Sequence, residues 1–239
     1  MAQRSAELLK SLSEVRARIL AAASSRSPTL VAVSKYKPAS DIHACHNDGG
    51  QLDFGENYVQ ELVDKAKELP ETIRWHFIGT LQSNKAKILA SIPNLYSIQT
   101  LTSVKTATIL NNTLPEDRAD PLNVLIQVNT SGEDSKSGLD PLTPSTIDSE
   151  LTKLAKHIMT SCPRLRLQGL MTIGALEQSL SGDENADFDC LRATRDLLEK
   201  ELGVEGLLLS MGMSSDFEAA LAKGSDIVRV GTGIFGTRR

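Results

Sequence analysis

The sequence predicts an α/β protein, a single (β/α)8 TIM barrel spanning residues 1–239, and three observations carry that prediction. Short runs rich in Val, Ile and Leu alternate with helical patterns along nearly the whole chain. Eight such runs can be counted, the number that closes a barrel of parallel strands. The length, 239 residues, lies close to the ~250 typical of that fold. An open, doubly wound sheet is the competing arrangement.

The first element is a helix over 5–24, because Leu8, Leu9, Leu12, Val15, Ile19 and Leu20 recur at spacings of three and four and make one apolar stripe. Strands come next at 30–34, 52–55, 75–79, 95–99, 124–129, 167–173, 207–210 and 227–230, each a short apolar run. Helical patterns fill the gaps at 39–49, 57–69, 83–91, 101–113, 145–159, 186–202 and 215–223. Short connections between alternating strands and helices imply right-handed parallel units. The chain stops too soon after the eighth strand for a full eighth helix, so the N-terminal helix is expected to cover that strand. Loops 131–144 and 175–185, rich in Gly, Ser and acids, come after strands five and six on the face where barrels place their sites.

Composition narrows the function. With 40% hydrophobic and 23% charged residues, 16 Gly and 9 Pro, the chain is of ordinary globular type. A formal charge of -4 without a run of five like charges argues against a nucleic-acid surface. Three scattered cysteines, Cys45, Cys162 and Cys190, suit reduced intracellular thiols rather than a disulfide framework. No stretch approaches the ~20 apolar residues of a membrane helix. Arg4, Lys10, Arg16, Arg18 and Arg26 faintly suggest an organelle leader, but Glu7 and Glu14 oppose it, so a cytoplasmic protein is expected.

Two ends of the chain hold residues that suit a phosphorylated ligand. Lys35 succeeds Val31 and Val33 at alternate positions. If those valines fill the barrel, Lys35 stands at its rim, where lost solvation favours the neutral amine that forms a Schiff base; if they face the helices, it is a surface lysine. The segment Ser210-Met211-Gly212-Met213-Ser214-Ser215-Asp216 leads into a helix that Ser214 or Ser215 could cap. With Gly231-Thr232-Gly233 after strand eight it offers backbone N–H groups to an anion, as barrels do at these two loops. Arg229 shares strand parity with Ile227 and Gly231, so it points wherever Gly231 does.

Other patterns carry less. Gly231-Thr232-Gly233-Ile234-Phe235-Gly236 matches G-x-G-x-x-G, but three residues after it leave no room for a helix, a strand or a ribose-binding acid. Ser34-Lys35-Tyr36-Lys37 lacks the partner motifs of a serine acyl enzyme. His43, Cys45 and His46 share a helix without a third ligand, so no metal site is expected. His76, inside strand three, reads as a satisfied core histidine.

Several of these segments together resemble one family. Val31-Ala32-Val33-Ser34-Lys35, Phe54-Gly55-Glu56-Asn57-Tyr58, Trp75-His76-Phe77-Ile78-Gly79 through Gln82-Ser83-Asn84-Lys85, Gly169-Leu170-Met171-Thr172-Ile173, Leu209-Ser210-Met211-Gly212-Met213-Ser214 and Val230 to Gly236 are similar to the YggS/PROSC family of pyridoxal 5'-phosphate (PLP) homeostasis proteins. The resemblance implies a barrel like the N-terminal domain of alanine racemase, without the racemase's C-terminal β-domain, holding PLP as an internal aldimine. It assigns the Schiff-base role to Lys35, phosphate contacts to Ser214, Gly231 and Thr232, and a contact with the pyridine nitrogen to Arg229. Asn57 and Ser210 fall in motifs lining the pocket.

The function that the resemblance implies is storage, buffering or delivery of the cofactor, with apo-enzymes as conceivable recipients and a monomer as the expected state. A weak PLP-dependent amino-acid racemase is the alternative, and a PLP-free barrel enzyme for a phosphorylated metabolite a third. Racemisation needs a second acid/base opposite the lysine. After strand eight only Thr232 to Arg239 remain to supply it, so Tyr36 and Tyr58 stay open as stand-ins.

Overall fold

The structure is a computed structural model that describes residues 2–23, 27–133, 136–175 and 185–237. Residues 134–135 and 176–184, in the two loops that the sequence places beside the site, lie outside the described residues, as does Arg26.

Eight parallel strands close in sequence order: β1 (Thr29–Val33), β2 (Asp53–Glu56), β3 (Arg74–Phe77), β4 (Leu95–Leu101), β5 (Leu122–Gln127), β6 (Leu165–Met171), β7 (Leu208–Ser210) and β8 (Ile227–Val230). The last pairs with the first, Leu30 opposite Val228 and Val31 opposite Arg229, which excludes the open sheet. Helices α1 (Ala2–Ala22), α2 (Ala39–Asn47), α3 (Val59–Glu68), α4 (Ala86–Ala90), α5 (Val104–Thr113), α6 (Glu150–Ser161), α7 (Ala186–Leu202), α8 (Phe217–Ala222) and α9 (Thr232–Phe235) surround it.

The strands read as continuous apolar runs because both faces are covered: every residue of β5 is buried. Outward-facing Ala32, Phe54, Trp75 and Phe77 belong to the large core between sheet and helices. Phe54 and Trp75 meet with ring centroids 6.1 Å apart, and burying an aromatic of this size contributes about 1.5–3 kcal/mol. Inward-facing Val31, Leu125, Met171 and Ile227 form a second, small cluster inside the barrel. Val31 therefore faces inward, and the choice that the sequence left open at Lys35 resolves in favour of the rim.

Helix α1 buries Leu8, Leu12, Val15 and Ile19 and packs against α2, α8 and α9. It thus takes the place between the helices after β7 and β1 where an eighth barrel helix would sit. Arg4 fastens it, donating to Asp41 Oδ2 at 2.7 Å and to the Phe235 carbonyl at 2.9 Å. Some sequence expectations change. Leu20, assigned to the buried stripe, is 79% exposed, because α1 turns it past the edge of the packed face. The glycine-rich tail has no full eighth helix, as expected, but makes the one-turn α9 with Gly231 O accepting from Ile234 and Phe235 N–H. The helix expected over 145–159 starts at Glu150, and that expected over 57–69 at Val59, each after an extended N-cap residue.

Candidate functional site

At the C-terminal ends of the strands opens a cleft of about 600 Å³. Val33, Ile78, Met171, Ile173 and Met213 give it apolar walls, and Lys35, Lys37, Asn57, Ser214, Ser215, Arg229, Gly231 and Thr232 bring polar groups to it. Of the sequence candidates, Lys35, Asn57, Ser214, Arg229, Gly231 and Thr232 all line it; Ser210 does not, being fully buried just beneath. A larger cleft of about 740 Å³ lies at the opposite end beside Arg16, Gln51 and Asp53. There Arg16 is occupied by Gly49 O at 2.6 Å and Gln51 Oε1 at 2.9 Å.

Lys35 stands two residues beyond β1, and among the described residues its ammonium has no hydrogen-bond or ion-pair partner. The backbone on either side of it is fixed. Ser34 Oγ donates to Glu56 Oε1 at 2.6 Å, and Lys65 Nζ binds that same oxygen at 2.6 Å, the Ser34 carbonyl at 2.8 Å and Glu61 Oε1 at 2.7 Å. Glu61 also accepts the Tyr36 N–H at 2.7 Å. Tyr36 is the one non-glycine described residue at positive φ, 62°, a strain of order 1–3 kcal/mol that this cluster sustains. Burial pushes the Glu56 carboxyl up to about 7 against the pull of Lys65 and Ser34, and its Oε2 lacks any partner. The sequence reading gave Glu56, Glu61 and Lys65 no role, although the Glu61–Lys65 spacing of four on a helix was a visible signal.

Asn57 is set by a close approach. A Cβ on Gly79 would lie 1.9 Å from the Asn57 carbonyl oxygen, so only glycine lets β3 carry on past this point. Asn57 Oδ1, buried in the cleft wall, makes no hydrogen bond.

Arg229 reaches the cleft from β8, only 4% exposed. It donates through Nη1 to Ser210 Oγ at 2.6 Å and through Nη2 to the Thr172 carbonyl at 2.7 Å. Burial lowers its pKa to about 10, with Asp216 pulling the other way, so it remains a cation at neutral pH.

Ser214 departs from its expected role as a helix cap. The N-cap of α8 is Asp216, whose side chain instead accepts the Met213 N–H at 2.6 Å. Gly212, at φ 91°, turns the chain so that Ser214 Oγ meets the Gly231 and Gly233 N–H groups at 3.2 and 3.4 Å. The Ser214 hydroxyl proton has no acceptor among the described residues. The two loops thus come together as expected, through a serine bridging two backbone amides.

Tyr36 and Tyr58 do not enter the cleft. Their hydroxyls bond to each other at 2.5 Å on the exposed rim. His76 is buried and bonded as read, whereas His46 is held by Gln51 O and Thr72 Oγ1, both at 2.9 Å, within α2 and its surroundings. No helix among the described residues is long and apolar enough to cross a membrane.

Comparison with known proteins agrees with this geometry. Residues 11–239 match the family model described as alanine racemase, N-terminal domain. A protein of Schizosaccharomyces pombe named pyridoxal phosphate homeostasis protein is 46% identical over 224 residues, 94% of this chain and 90% of that one. The Escherichia coli K12 protein of the same name is 44% identical over 241 residues, 97% of each chain. Among solved structures, PipY of Synechococcus elongatus with PLP bound superposes with a TM-score of 0.73 at 29% identity, covering 96% of this chain and all of that one. Alanine racemase of Corynebacterium glutamicum shares the fold alone: TM-score 0.68, 17% identity, 97% of this chain and 61% of that one. With the closed barrel, the rim lysine and relatives of that name along nearly its whole length, the chain belongs to the YggS/PROSC family of pyridoxal phosphate homeostasis proteins.

Proposed function

We propose that residues 1–239 act as one cofactor-binding barrel that holds pyridoxal 5'-phosphate on Lys35 and serves to store, buffer or deliver it in the cytoplasm, as a monomer that passes it to apo-enzymes. The observation that carries the reading is one cleft joining a lysine amine without a partner, a buried arginine and a serine-bridged pair of backbone amides. When bound, the cofactor supplies an aldehyde that condenses with an amine and a pyridine ring that draws electrons from the attached carbon.

The residues fit that group. Lys35 supplies the amine. The Ser214 hydroxyl proton and the Thr232 N–H and hydroxyl, beside Gly231, offer donors to a phosphate, and Arg229 adds positive charge to the same cleft. The unpaired Asn57 Oδ1 is an acceptor waiting for a donor. Arg229 can only donate, so it faces a pyridine nitrogen without giving up a proton, which weakens the ring as an electron sink.

Racemisation also needs a second acid/base opposite Lys35. Among the described residues no His, Tyr, Cys, Asp or Glu lines the cleft, and Lys37, which does, donates to the Gly236 and Thr237 carbonyls at 3.1 and 3.0 Å. A lysine held to two carbonyls in this way favours the carrier over the racemase.

The test is the visible spectrum of the purified protein with added PLP, before and after borohydride, beside Lys35→Ala. A yellow band that borohydride removes and the variant lacks supports the reading; a colourless wild type overturns it. Incubation with L-alanine in deuterated water then separates carrier from racemase, since exchange of the α-proton at a useful rate would sink the carrier.

A further inference from the structure

Beneath the cleft a line of buried side chains crosses the barrel interior. Arg229 Nη1 donates to Ser210 Oγ at 2.6 Å, Ser210 Oγ–H to Gln99 Oε1 at 2.7 Å and Gln99 Nε2 to His76 Nδ1 at 3.0 Å. His76 Nε2 then meets Asp53 Oδ1 at 2.9 Å, and Arg74 pairs with the other Asp53 oxygen. Asp53 and Arg74 open β2 and β3, so the line runs from the cleft to the far end of the barrel.

With the Gln99 amide oriented as it is, each link has one polarity. The Gln99 amide nitrogen only donates, so His76 Nδ1 is the bare nitrogen and Nε2 carries the proton. Arginine only donates, so Ser210 Oγ accepts on that side and its own proton goes to Gln99. A second proton on His76 would force the Gln99 amide to turn over, and Ser210 would then face two donors with its proton displaced. The charged and aromatic groups facing the imidazole are Asp53 from β2, Arg74 along its own strand and the Tyr96 ring from β4, 5.3 Å away. Asp216 is the charge that acts on Arg229.

We propose that Gln99 and His76 are positioning residues for the ring end of the cofactor. By drawing the Ser210 proton away from Arg229, they hold the guanidinium between Ser210 Oγ and the Thr172 carbonyl and leave its remaining N–H groups to the cleft. This role rests on the cofactor reading; the polarity of the line does not.

Two measurements test it. The first is ¹⁵N NMR of the His76 ring in the cofactor-free protein at neutral pH. The neutral Nε2–H tautomer is expected in the wild type, and an imidazolium in Gln99→Glu, whose carboxylate accepts from both neighbours. An Nδ1–H tautomer or an imidazolium in the wild type overturns the proposal. The second is the pH midpoint of the visible band after loading with PLP. Gln99→Glu, which is isosteric, and Gln99→Leu should each move it by at least about one unit, a tenfold change in proton affinity. A residue that merely supports the fold would lower stability and leave the midpoint in place. An unmoved midpoint in a coloured protein overturns the positioning role alone, whereas a wild type that never colours overturns the cofactor reading beneath it.

Discussion

Replacing Glu56 with glutamine should remove a pH dependence of stability that one buried carboxyl creates. Glu56 is fully buried, and its pKa rises from 4.5 to about 7 through burial, with Lys65 and Ser34 opposing the rise. Because the folded protein holds this proton more tightly than the unfolded chain does, Glu56 detracts nothing below about pH 4.5. Stability then falls as pH rises through the window between 4.5 and about 7, and it levels off above. At about 1.4 kcal/mol per pKa unit, the loss amounts to about 3 kcal/mol. Glutamine keeps the shape and the acceptor for Ser34 but carries no proton to lose. Urea unfolding of wild type and Glu56→Gln from pH 4 to 8 measures the difference directly, since the other titrating groups are common to both. The difference curve should rise in favour of the variant by about 3 kcal/mol between pH 4 and 8; an unbonded amide nitrogen, placed where Oε2 has no partner, would lower the whole curve by about 1 kcal/mol without changing that rise. A difference curve flat from pH 4 to 8 would refute the reasoning.

Three further predictions rest on single contacts. Ser214→Ala removes the acceptor shared by the Gly231 and Gly233 N–H groups; it should lower stability by about 0.5–1.5 kcal/mol and weaken PLP binding in a fluorescence titration more than it weakens pyridoxal binding. Gly79→Ala sets a methyl 1.9 Å from the Asn57 carbonyl, so thermal unfolding should register a loss of about 1–3 kcal/mol as the backbone gives way. Cys45, its thiol pushed up to about 11 by burial, should not react with an aromatic disulfide reagent at pH 8 until urea unfolds the chain.

The barrel was legible because both sheet faces are covered, which makes each strand an uninterrupted apolar run that no loop imitates. Lys35 and Arg229 were legible too, by the alternation that puts them in line with Val31 and Ile227. The polar line inside the barrel was not: Asp53, His76, Gln99 and Ser210 sit on four different strands and become neighbours only when the sheet closes. Periodicity marks His76 as inward and silent, and nothing local announces its partners. Ser214 misled for a related reason. A serine before a helix suggests a cap, but Gly212 turns it toward amides that lie just past β8. Leu20 lies beside the stripe rather than in it, since the packed face runs through Ile19 to Ala22 and turns its neighbour outward.

The seam sealed by α1 has a bearing on how the protein is made. Arg4 bonds to Phe235 across 231 positions of sequence, and β1 has one of its two neighbours only once β8 is present. A chain leaving the ribosome can therefore pack its first helix only against α2, and the part of the stripe that meets α8 and α9 stays unsheltered until nearly all of the remainder has been synthesised. At about 5–20 residues per second, that interval lasts on the order of ten seconds or more. Contacts of such long range also slow closure once synthesis is over. The exposed stripe of the nascent chain is thus where a chaperone has both the surface and the time to bind, and a hydrophobic-to-polar change there should show first as lower yield of folded protein.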